Sequence, residues 1–229
     1  MCGRFALGTS VKEIKTQFRV DHIPEFSPSF NCAPTQNVLI LLPTPAHEHL
    51  DAEWFTWGFI PHYARDKKIN PPLINARAET VATKPAFRNS FKNKRGIVLM
   101  SGYFEWLSVG GHKQPYYIHS SSNQLFAVAA LWDTWQAPTG EVVHSCCLIT
   151  TSANSLVARF HDRMPVILNK EQQLIWLDTQ CTDAAPLKAV LVPYERKEMA
   201  VYPVTPKMNH WRYQLADAIK PISLDDNAV

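Results

Sequence analysis

The chain has 229 residues, 46% hydrophobic and 19% charged, which is the composition of a globular protein long enough to bury a substantial core. No apolar run approaches the ~20 residues of a membrane span. Residues 1–20 carry Arg4, Lys12, Glu13, Lys15 and Arg19 where a secretory signal would be apolar. The formal net charge of +3 permits contact with nucleic acid without implying it. Five cysteines with no CxxC pair argue against a disulfide framework and a structural zinc site, so a reducing, cytoplasmic setting is expected.

The first predicted element is a helix over 10–18, SVKEIKTQF, capped by Ser10, with Val11, Ile14 and Phe18 at helical spacing. NVLILL (37–42) reads as a buried strand and AEWFTWGFI (52–60) as an aromatic-rich one. TKPAFRNSFKN (83–93) predicts a helix with Pro85 near its start. RGIVLMSGYFEW (95–106) reads as one strand passing through a glycine bend into another. The strand pattern continues in QPYYIHS (114–120), QLFAVAALWDTW (124–135) and VVHSCCLITTS (142–152). Cys146 and Cys147 are expected there as buried small hydrophobes. SANSLVARF (152–160) and NKEQQLIWL (169–177) read as short helices, and the tail from about 222 to 229 as loose. Long strands and short helices without regular βαβ alternation predict an α+β fold. The expectation is one domain over 1–229, a mostly antiparallel, barrel-like core flanked by short helices.

Four stretches can carry chemistry. The chain opens MCGRF, and loss of Met1 would give Cys2 a free amine beside its thiol. The amine titrates near 8 and the thiol near 8.5. An amine alone forms a hydrolysable imine with an aldehyde, whereas a neighbouring thiol closes on the imine carbon to give a durable thiazolidine. The bland alternative is an incidental cysteine at a fraying terminus. In INARAE (74–79), an extended chain puts Asn75, Arg77 and Glu79 on one face, either as a polar surface or as a grip for carbonyl and phosphate. In SGYFEW (101–106), Glu105 lies between Phe104 and Trp106. It is either a desolvated acid/base or an outward carboxylate beside two core aromatics. In RFHDRMP (159–165), His161 is a proton carrier for neutral pH or one residue of a polar corner. HEH at 47–49 is a weak metal pattern with no visible partner ligands. No Walker loop, GxGxxG, GxSxG or HExxH occurs.

Six segments in order carry a resemblance: MCGRF, NCAPTQNV (31–38), WGFIP (57–61), PPLINARAET (71–80), FEW (104–106) and HDRMPVIL (161–168). Together they resemble the SRAP family, the SOS-response-associated peptidases or abasic-site-processing proteins. The likeness runs to about VTPKMN at 204–209. It implies a sensor of abasic sites in single-stranded DNA. Cys2, freed of Met1 by self-processing, would form a thiazolidine crosslink with the aldehyde of the ring-opened sugar and shield the lesion. By the same resemblance, Asn75 holds the N-terminus and sugar, Glu105 acts as acid/base, and His161 shuttles protons. Arg4 and Arg77 grip phosphates, and Asn31 and Pro34 shape the pocket; beside the resemblance, Trp57, Trp106, Tyr63 or Phe59 offers a face to stack on a flanking base, with Trp57 the better fit to the core. No metal or cofactor is implied; the partner is abasic single-stranded DNA, the chain a monomer associated with the nucleoid when bound, and a lyase side activity through the imine is foreseen. Two other readings remain: a cysteine peptidase acting on external substrates, and a noncovalent single-strand-binding module.

Overall fold

The computed structural model describes residues 2–44 and 49–224. Met1, most of the HEH pattern and the end of the tail fall outside them, while His49 pairs with Asp21 at 3.0 Å. The strands are β1 (Phe5–Leu7), β2 (Ser29–Cys32), β3 (Asn37–Pro43), β4 (Leu50–Trp57), β5 (Asn75–Arg77) and β6 (Arg95–Met100). They continue as β7 (Gly102–Val109), β8 (His112–Ser120), β9 (Phe126–Gln136), β10 (Val142–Ser152), β11 (Arg163–Pro165) and β12 (Met199–Pro203). Four short helices, α1 (Val11–Gln17), α2 (Arg88–Asn93), α3 (Lys170–Leu177) and α4 (Ala184–Ala189), complete an α+β fold.

The strands form two sheets. One is five-stranded and antiparallel, in the order β12-β8-β7-β1-β2. The other is seven-stranded, in the order β11-β10-β4-β3-β6-β9, with β5 added against β10. This larger sheet curls until β10 pairs with β9 as well as β4, which is barrel-like as expected without making a true barrel. Strand β10 pairs with β9 from Val142 to Leu148, yet meets β4 only at Ser145↔Thr56 and Cys146↔Trp57. The chain leaves β4 just after that short parallel seam, so the ladder does not extend.

The continuous apolar runs are explained by burial on both faces of the larger sheet. Along β3, Leu39 and Leu41 face a core that includes Ile14, Phe91, Trp176 and Leu187 from the four helices. Val38 and Ile40 face the five-stranded sheet, meeting Phe5, Tyr103 and Ile118. The same alternation splits the adjacent cysteines, with Cys147 toward the helices and Cys146 between the sheets. A smaller core backs the outer face of the five-stranded sheet, where Phe104 and Tyr117 meet Val204, Met208 and Ala218.

Ser10 and Glu13 close a capping box on α1, with Glu13 Oε2 accepting from Ser10 N at 2.8 Å. Ile14 and Phe18 are buried as expected, but Val11 is exposed. Helix α2 begins later than predicted, because 80–87 form successive turns that carry Val81 and Phe87 into the core. The helix expected over 152–160 is a single 3-10 turn, Val157–Arg159. Asn154 Oδ1 accepts from Leu156 N at 3.1 Å and Val157 N at 3.0 Å, a cap that starts the turn two residues later than expected, after β10 has run on to Ser152.

Gly102 opens β7 directly after the bend at Ser101. A Cβ there would sit 2.5 Å from Tyr117 Cζ and 2.6 Å from the Ile118 carbonyl oxygen. Because backbone cannot yield as a flexible side chain does, Gly102→Ala is expected to destabilise the fold by about 3 kcal/mol. A urea melt would show it as a lowered midpoint at unchanged slope.

Candidate active site

Cys2 does not fray. It is fully buried between the sheets, in the same apolar cluster as Phe5, Cys32, Trp57 and Tyr103. Asn75 Nδ2 donates to the Cys2 carbonyl at 3.0 Å. Parallel pairing of β5 with β10, Leu148↔Asn75 through Thr150↔Arg77, fixes that amide. With Ala76 buried in the helix-side core, Asn75 and Arg77 both face the other way, and Arg77 is exposed. Glu79 leaves this face: it binds Arg163 through both carboxylate oxygens, at 2.5 and 2.9 Å. That bidentate pair holds its carboxyl below the usual range.

Glu105 is only 4% exposed. Strand alternation places it with Tyr103 on the inter-sheet face, while Phe104 and Trp106 pack on the outer core. Both faces of β7 are thus apolar, and the carboxylate does not turn to solvent. Burial pushes the Glu105 carboxyl up to about 7, against the opposing pull of the positive N-terminus, and Asp162 adds to the rise. Burial first, and the Glu105 charge second, raise the Cys2 thiol far above its ordinary range. A thiol in this setting stays protonated and needs a base to become a nucleophile.

His161 follows the 3-10 turn shaped by Asn154 and is about one-third exposed at its side chain. Its Nδ1 lies 3.0 Å from Arg163 N, which suits an acceptor there, and 2.7 Å from Asp162 Oδ1, which suits a donor, so the two neighbours pull the ring proton in opposite directions. Burial and the positive N-terminus lower its pKa, and Asp162, 2.7 Å from Nδ1, works in the opposite direction. The Tyr116 ring, whose residue pairs with Glu105 across β7–β8, packs on Phe160 at 4.8 Å and ties this loop to the sheet.

The expected DNA-gripping residues form a second group. Arg4 Nη1 donates to Asn31 Oδ1 at 2.9 Å and to the Met208 carbonyl at 3.2 Å. Asn31 is fully buried, and its Nδ2 donates to the carbonyls of Met208, His210 and Tyr213 at 2.9, 3.2 and 3.0 Å. Trp106 Nε1 donates to Asn209 Oδ1 at 2.7 Å. All three therefore lean on the 206–213 segment. Pro34 is half-buried in the turn after β2, where Thr35 adopts φ 72°. Trp57 is core, its Nε1 donating to the Ile74 carbonyl at 2.9 Å.

One neighbour escapes a reading of the sequence. Tyr103 is fully buried, and its hydroxyl has no hydrogen-bond partner among the described residues. Burial raises its pKa, and the charges of Cys2 and Glu105 raise it further, so both lie within its electrostatic reach. Its place two residues before Glu105 on a strand was the available signal.

A buried cysteine at the start of the chain, held by an asparagine amide beside a desolvated glutamate and a neutral histidine, defines a candidate covalent site between two sheets. The chain belongs to the SOS response associated peptidase (SRAP) family, whose model matches residues 1–211. It is 39% identical over 213 residues to the abasic site processing protein YoqW of Bacillus subtilis, covering 91% of this chain and 94% of that one. It is 31% identical to the abasic site processing protein YedK of Escherichia coli, over 97% and 100% of the two chains. A solved protein from Bacteroides thetaiotaomicron superposes with a TM-score of 0.87 at 25% identity, covering 97% of this chain and all of that one. Among the described residues no helix is long and apolar enough to cross a membrane.

Proposed function

We propose that the chain processes abasic sites in single-stranded DNA by covalent capture at Cys2. The observation that carries this reading is the Cys2 carbonyl held 3.0 Å from Asn75 Nδ2 while the Cys2 thiol feels the charge of Glu105. Kinship with proteins named for abasic site processing supports it.

Hydrolysis of the Met1–Cys2 bond first releases methionine and frees the Cys2 amine. That amine adds to the C1′ aldehyde of the open sugar, and loss of one water gives the imine. The Cys2 sulfur then bonds to the imine carbon, and its proton passes to the imine nitrogen, closing a thiazolidine. Glu105 accepts a proton from the amine and returns it to the departing hydroxyl, a cycle suited to a carboxyl near 7. Neutral His161 relays protons between this carboxyl and the opened sugar hydroxyl. Arg77, on the same face as Asn75, and Arg4 grip phosphates. Asn31 acts at one remove by seating Arg4, Pro34 shapes the rim, and Trp106 stacks on a base. Beta-elimination through the imine is a side reaction of the same intermediate.

Two features weigh against turnover of external peptides. The sulfur is wholly buried, and its thiol is held protonated.

Intact-mass measurement and crosslinking test this together. The recombinant protein is expected to weigh one methionine less than its gene encodes. It is expected to form a heat-stable adduct with an abasic oligonucleotide and none with an intact strand. Equal binding to both strands with no adduct would establish the noncovalent reading instead.

A further inference from the structure

The Tyr103 hydroxyl is a buried, unpartnered polar group in the same layer as Cys2 that the mechanism above leaves unused. Phenylalanine would fill the same apolar layer without the cost of desolvating a hydroxyl. Phe126 packs on the ring at 6.5 Å, and Tyr103 pairs with Phe5 in β1, three residues beyond Cys2. The ring is thus locked by packing, with its hydroxyl in the layer that holds Cys2 and on the face that holds Glu105.

We propose that the Tyr103 hydroxyl is a further catalytic group, donating a hydrogen bond to Cys2 Sγ and aiming that sulfur at the imine carbon during ring closure. The inference rests on the covalent reading above. The sulfur must turn from its protonated, buried state to attack. In an apolar layer the alternative to a donor is a bare developing thiolate, which burial penalises. A phenol hydroxyl supplies that donor and keeps its own proton, because burial and the nearby negative charges oppose its ionisation. Only the Cys2 proton moves, from sulfur to imine nitrogen, so the step balances without a further reactant.

The assignment separates two stages of capture. Imine formation uses the amine alone, whereas ring closure uses the sulfur. Tyr103→Phe is therefore expected to slow the appearance of heat-stable adduct about tenfold, in the range of one lost hydrogen bond to a developing charge. Imine trapped by borohydride in the same reaction should rise correspondingly. Affinity for a tetrahydrofuran-containing oligonucleotide, which has no aldehyde, should stay as in the parent protein. In a Cys2→Ala background, which retains the amine but not the sulfur, Tyr103→Phe should leave borohydride trapping unchanged. A purely structural role for the tyrosine would instead lower trapping in both backgrounds, and that result overturns the assignment. So does a Tyr103→Phe variant that forms heat-stable adduct at the parental rate. If the parent protein itself forms no adduct, the covalent reading falls and Tyr103 with it; failure in Tyr103→Phe alone leaves the covalent reading intact.

Discussion

Cys2→Ala is expected to abolish the heat-stable adduct with abasic DNA, a loss on the order of 10²-fold or more, while Cys146→Ala leaves it in place. Both sulfurs are buried in the layer between the sheets, so burial does not distinguish them. What differs is the backbone. Cys2 alone can carry a free amine next to its thiol once Met1 is gone, and Asn75 holds it by its own carbonyl. Cys146 sits in mid-strand, paired with Trp132 on one side and Trp57 on the other. The alanine variant keeps the amine, so borohydride should still trap an imine that heating would otherwise release. Denaturing electrophoresis with and without borohydride reads both outcomes. Equal heat-stable adduct from the two alanine variants would remove Cys2 from the chemistry.

Glu105→Gln should show the second-largest effect, a fall of about 10² in crosslinking rate, within the usual range for a positioned acid/base. The diagnostic is the pH profile. The parental rate should rise with pH through about 7, as the carboxylate that takes the amine proton appears. In the glutamine variant that limb should vanish, leaving only the titration of the amine near 8. Stability offers an independent check with a definite sign. The folded carboxyl binds its proton up to about 7, whereas an unfolded glutamate releases it near the ordinary value of 4.5. Between those limits the folded state holds more protons, so stability declines as pH rises across the window. The uncharged glutamine cannot titrate, and its thermal midpoint should be flatter from pH 4.5 to 7 than that of the parent. A parent midpoint that climbs over this interval would contradict a raised carboxyl.

Elements whose periodicity was strong were legible in the sequence. Helix α1 begins at the Ser10 cap, and the strands from 95 to 152 lie where their apolar runs put them. The helix expected over 152–160 is only one turn, because β10 runs on to Ser152 and Ala153 N donates to the Asp162 carbonyl, closing a short loop into β11 that periodicity does not register. Curvature was also hidden. Nothing local to VVHSCCLITTS says that this strand pairs with β9 along one edge and meets β4 at only two residues on the other. For the site, Cys2, Asn75 and Glu105 were readable from side-chain chemistry. The orientation of Glu105 was not, since strand alternation alone allows either face; the outer core around Val204 and Met208 decides it by claiming Phe104. Tyr103 could not be separated from an ordinary core aromatic until its hydroxyl was seen without a partner. The bidentate grip of Arg163 on Glu79 was likewise invisible, because the two residues are 84 positions apart.

The Asn31 clamp also has a consequence in time. During synthesis Cys2 and Arg4 leave the ribosome first, yet the Arg4 guanidinium leans on a carbonyl 204 residues downstream, and Asn31 reaches 182 residues to Tyr213. Asn75, Glu105 and the His161 loop emerge in between. The Arg4 and Asn31 contacts can therefore form only once residues 208–213 have been made, so this end of the fold closes last.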